Sequence, residues 1–98
     1  MTVNLSLIVN DASIRTDYFV EGFIDHTVSG MIEALEGTGE IKDLNLSIEG
    51  DKVTIDLNGS IVPVNAFVNK IFRSTTIAMV STLKGVSDVN KLNIILHK

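Results

Sequence analysis

The chain has 98 residues, of which 45% are hydrophobic and 20% charged, values that suit one domain with one core and exclude a disordered segment. Its net charge of -4 excludes general affinity for a nucleic-acid backbone, where clustered Lys and Arg are needed to displace counterions. Cysteine is absent, which excludes disulfides, thiolate metal sites and cysteine nucleophiles.

The first ten residues, MTVNLSLIVN, mix Asn and Ser with apolar residues and lack a basic start or a long apolar run. Neither a signal peptide nor a membrane span is expected, and the reading is a cytoplasmic protein. Val3, Leu5, Leu7 and Val9 alternate with Thr2, Asn4, Ser6 and Ile8, the period of a strand with one buried face. After a polar turn at Asn10 to Ser13 the period becomes helical. Val20, Ile24, Val28, Met31 and Leu35 form one stripe, Ser13 or Thr16 is the expected cap, and Gly37-Thr38-Gly39 is the expected stop.

Leu44, Leu46 and Ile48 then alternate with polar residues, Gly50-Asp51 turns the chain, and Val53, Ile55 and Leu57 return it as a hairpin. Asn58 to Val62 reads as a linker and Pro63 as a first-turn helix residue. The second helix is expected to bury Val64, Val68, Ile71, Phe72, Thr75, Met79 and Leu83 and to stop at Gly85. Leu92, Ile94 and Leu96 face inward on a last strand.

An offset of 48 residues aligns the two halves. Nine identities fall in 44 compared positions, among them Asn10 with Asn58, Phe19 with Phe67, Met31 with Met79 and Gly37 with Gly85, where composition alone gives roughly three. The expectation is therefore an internal duplication of a βαβ unit, with half one at about 1–49 and half two at about 50–98 of a single domain. Interleaving two such units predicts a ferredoxin-like βαββαβ sandwich with antiparallel sheet order 4-1-3-2 and both helices on one face.

No motif carries recognisable chemistry. His26 with Glu33 falls short of the ligands a metal needs, so neither metal nor cofactor is expected, and no catalytic residue is assigned. Asn10 and Asn58 recur at strand-to-helix turns, as turn formers or as two amides for a ligand. The sheet face away from the helices is polar and lacks the aromatics that stack RNA bases. Ile8 and Ile95 could form an apolar spot there for self-association.

The first helix carries Asp17, Glu21, Asp25, Glu33 and Glu36 without Lys or Arg; the second carries Lys70, Arg73 and Lys84 without Asp or Glu. Ile77 falls 180° from Val68 at 100° per residue and sits among those basic residues, the pattern of an apolar anchor in a charged rim. These features point to a non-catalytic binding or protein-interaction domain that self-associates or docks an acidic protein. A small-ligand-binding regulatory domain is the alternative, followed by a small enzyme using the polar sheet face; nucleic acid and membrane are not expected partners.

Overall fold

The computed structural model describes residues 4–36 and 39–98. Thr2 and Val3 of the first expected strand, and Gly37 and Thr38 of the expected helix stop, lie outside the described residues. The elements are β1 (Asn4–Val9), β2 (Ala12–Ile14), α1 (Tyr18–Glu36), β3 (Asp43–Glu49), β4 (Lys52–Leu57), β5 (Ser60–Val62), α2 (Ala66–Ser81) and β6 (Lys91–His97).

All strands join one antiparallel sheet of order β2-β1-β6-β3-β4-β5. This overturns the ferredoxin-like 4-1-3-2 sandwich and the duplicated βαβ unit from which it was built. In the expected sheet β1 and β4 are central; here β3 and β6 pair with each other, from Asp43 opposite His97 to Glu49 opposite Lys91. The cause lies in two segments read as a turn and a linker. Asn10 and Asp11 have φ of 50° and 67°, and Asn58 and Gly59 have φ of 51° and 86°. Two successive residues at positive φ make the type I′ turn that closes a two-residue hairpin. Each turn folds a three-residue strand, β2 or β5, onto the outer edge of β1 or β4, so those strands are displaced from the middle of the sheet.

The centre goes to the two strands with the most regular alternation. Leu44, Leu46, Ile48, Leu92, Ile94 and Leu96 are each at most 1% exposed. Ile24, Val28 and Ile32 of α1 and Phe72, Thr76 and Val80 of α2 cover that face and share its core. Both helical stripes are rotated from the expected phase. Ile32, absent from the expected stripe, is buried, whereas Met31, Met79, Leu35 and Leu83 are only half-buried, and Ile71 and Thr75 are exposed.

The caps also differ from expectation. The Val20 amide donates to Asp17 Oδ1 at 2.8 Å and the Val68 amide to Asn65 Oδ1 at 2.8 Å, so an Asx side chain satisfies an orphan N–H of each first turn. Pro63 precedes α2, which starts at Ala66.

Candidate functional site: an apolar helical layer

The expected site residues fall in three separate places. Asn10 and Asn58 sit at opposite corners, with their side chains engaged in the fold. Asn58 Oδ1 accepts from the amides of Lys42 and Asp43 at 2.8 and 2.9 Å, and Asn58 Nδ2 donates to the Glu40 carbonyl at 2.8 Å. Asn10 Oδ1 accepts from Asn90 and Lys91 at 2.9 and 3.0 Å, and its Nδ2 donates to the Asp88 carbonyl at 3.1 Å. Each amide therefore fastens a hairpin turn to the start of the neighbouring central strand.

Ile8 and Ile95 occupy adjacent strands on the sheet face away from the helices, offset diagonally, since Ile8 pairs with Asn93 and Ser6 with Ile95. Ile8 is half-buried and Ile95 is 36% exposed. Between them and the middle of the sheet, Asn93 Nδ2 donates to Asn45 Oδ1 at 3.1 Å and to Ser47 Oγ at 2.7 Å. A shallow hollow of ≈ 310 Å³ on the same face includes Asp43, Asp56 and His97. His97 Nδ1 contacts Asp43 Oδ1 there, with both side chains well exposed. Among the described residues no group of three or more His, Asp or Glu could hold a metal ion.

Lys70, Arg73 and Ile77 share the flank of α2. Lys70 is exposed. Arg73 is turned towards the β3–β4 hairpin, donating from Nε to the Gly50 carbonyl at 2.8 Å and lying 3.7 Å from Asp51. Ile77 is half-buried and packed against the core. Once the buried stripe is centred on Thr76, Ile77 is its immediate neighbour, which corrects the expected position opposite the stripe.

The most conspicuous surface lies elsewhere, on top of the helices. Tyr18 is 93% exposed, Phe19 73%, Phe23 53%, Phe67 70% and Ile71 45%. At 100° per residue, Phe19 and Phe67 lie about 180° from the buried centres Val28 and Thr76, and Phe23 and Ile71 about 140°. They therefore point away from the sheet. The Phe19 and Phe23 rings pack one turn apart, with centroids 6.1 Å apart and planes tilted by 37°. Phe23 and Val20 wall one side of a groove of ≈ 540 Å³, and Ala78, Met79 and Leu83 wall the other. The N-terminal half of α1 thus runs beside the C-terminal half of α2. Three threonines, Thr27, Thr75 and Thr82, supply the polar lining, and Thr82 Oγ1 already donates to the Met79 carbonyl at 2.7 Å.

The signal for this surface was present in the sequence. Phe19 aligns with Phe67 and Phe23 with Ile71 at the 48-residue offset, and neither pair fits a stripe through Ile24, Val28 and Ile32. Placing Ile71 on the buried stripe hid it. Among the described residues no helix is long and apolar enough to cross a membrane. No family model, curated protein or solved structure matches the chain.

Proposed function

We propose that this protein is a non-catalytic interaction domain that associates with a second copy of itself through its helical layer. The observation that carries the reading is two groups of exposed apolar side chains on the outer side of the helices, Phe19 with Phe23 on α1 and Phe67 with Ile71 on α2, more apolar surface than soluble monomers usually leave in water. Aromatic residues are the side chains that most often anchor a protein interface.

A small apolar ligand fits the groove less well, since pockets orient ligands with a few convergent polar groups and the three threonine hydroxyls give little to converge. The test is sedimentation of the wild type and of a Phe19→Ser/Phe67→Ser variant across a wide concentration range. The wild type is expected to sediment as a dimer and the variant as a folded monomer. A wild type that stays monomeric at high concentration overturns the reading.

A further inference from the structure

Resting on the self-associating reading above, we infer that the dimer is crossed, with α1 of each copy lying over α2 of the other and Glu33 of one copy meeting Lys70 of the second. Two twofold arrangements can bring the helical layers together. In one, each helix lies on its own equivalent; in the other, each lies on the opposite helix. The exposed aromatics do not choose between them, because both arrangements set Phe19 and Phe23, or Phe67 and Ile71, near small residues such as Gly30, Ala34 and Ala78. A β-carbon built on Gly30 meets nothing within 4 Å, so the chain itself places no demand for glycine there and the space is open to a partner side chain.

Charge does choose. Like helices stacked together would run antiparallel, so with Phe19 over Ala34 and Phe23 over Gly30 each Glu33 would stand near residue 20 of its copy and each Lys70 near residue 80, neither meeting an opposite charge. The crossed arrangement sets acid against base on both helices. The groove also fixes the level of the contact. Its lining puts Phe23 of α1 beside Ala78 and Met79 of α2. Continuing along the two oppositely running helices, Glu33 stands level with residues close to Lys70. In the crossed dimer α1 of the second copy keeps that level, so its Glu33 comes down beside Lys70. The phase agrees. Glu33 lies about 140° from Val28 and Lys70 about 120° from Thr76, both on the side away from the groove. Both side chains are exposed. They would form the polar rim of the interface, repeated twice by symmetry.

The experiment is sedimentation equilibrium on four proteins: wild type, Glu33→Lys, Lys70→Glu and the double exchange Glu33→Lys/Lys70→Glu. Each single variant is expected to raise the dimer Kd about five- to tenfold at low salt, because two attractive rim pairs become repulsive. The double exchange is expected to return to within about twofold of wild type, and added salt to shrink the differences. Thermal melting of each variant at a dilution where it is monomeric checks that the fold is unchanged; a variant that melts early is replaced by its neutral counterpart, Glu33→Gln or Lys70→Gln, with about half the expected effect. A dimer whose Kd ignores the single exchanges, or a double exchange weaker than either single, overturns the crossed pairing while self-association stands. A wild type that does not dimerise removes both.

Discussion

The two hairpin corners are alike bond for bond, while the two helices differ along their charged flanks. At one corner the Asn10 amide binds Asp88, Asn90 and Lys91; at the other the Asn58 amide binds Glu40, Lys42 and Asp43 with the same atoms. The backbone follows suit, Asn10 N–H to the Lys91 carbonyl at 2.8 Å and Asn58 N–H to the Asp43 carbonyl at 2.7 Å. On the helices, Asp25 of α1 is 8% exposed and its Oδ1 lies 3.1 Å from Lys98 Nζ, whereas Arg73 of α2 reaches the Gly50 carbonyl and the exposed Asp51. A backbone turn with two positive-φ residues beside an incoming strand allows few solutions, since every N–H and C=O there needs a partner. A helix flank in water allows many. The charges that differ between α1 and α2 therefore fall on the flanks, and the exposed ones, such as Glu33 and Lys70, are free to serve a contact.

The largest expected effect tests the inner stripes. Ile32→Ala removes a side chain that is 1% exposed and should cost about 2 to 5 kcal/mol in chemical denaturation. Met31→Ala, one residue away and half-buried, should cost less than half of that. Equal losses would mean that α1 does not face the sheet along Ile24, Val28 and Ile32.

Next come the corners. Asn10→Ala and Asn58→Ala each delete three side-chain hydrogen bonds and place alanine at a positive φ, so each should lose about 2 to 3 kcal/mol. Asn→Gly at either position should recover only the backbone part, because glycine accepts that φ but supplies no amide. Because the bonds are the same, the two alanine variants should agree to within about 0.5 kcal/mol. A clear inequality would show that the corners are alike in geometry but not in energy.

A smaller effect separates the helix flanks. Lys98 Nζ lies 3.1 Å from both Asp25 Oδ1 and Ser29 Oγ, and the Ser29 hydroxyl donates to Asp25 at 2.9 Å. The Asp25 side chain is only 12% exposed, so Lys98→Ala leaves a mostly buried carboxylate without its cation and should cost about 1 to 2 kcal/mol. Arg73→Ala, which breaks a contact with the fully exposed Asp51 and one bond to Gly50, should cost about 1 kcal/mol or less. The reverse order would remove the distinction between a buried pair on α1 and an open one on α2.

Much of the element list was legible before the structure, because Leu44-Leu46-Ile48, Val53-Ile55 and Leu92-Ile94-Leu96 alternate cleanly and a period of two has one meaning in a short segment. The sheet order was not. It depended on whether Asn10-Asp11 and Asn58-Gly59 were linkers or hairpins, and Asn-Gly between Leu57 and Ile61 is a strong hairpin signal that the short flanking strands concealed. Three-residue strands hold too few residues to show a period. The helical stripes were misphased because α1 and α2 are apolar on two sides, one packed on the sheet and one exposed at Phe19, Phe23, Phe67 and Ile71. Periodicity alone does not say which apolar side is the core. The pairing of Asp25 with Lys98 joins residues 73 positions apart, and no local pattern announces it.

The smallest expected effect is a gain, and it comes from the one inner position where the helices differ in chemistry. Thr76 is 0% exposed at the middle of the α2 stripe, and its hydroxyl has no hydrogen-bond partner among the described residues. Val28, the corresponding residue of α1, is also 0% exposed and offers the same shape with a methyl in place of the hydroxyl. A buried hydroxyl forfeits its bonds to water and recovers nothing in an apolar core, so Thr76→Val should stabilise the protein by about 1 kcal/mol. The reciprocal Val28→Thr should destabilise it by a similar amount. The comparison is sharp because valine and threonine share a branch at Cβ and nearly the same volume, which leaves the hydroxyl as the difference between the variants. Both changes are read from the denaturation midpoint at constant slope, which reports stability without a change in the unfolded state. If Thr76→Val is instead destabilising, the hydroxyl has a partner in solution, the most direct being the carbonyl of the preceding turn, and α2 gains from Thr76 a bond that α1 lacks.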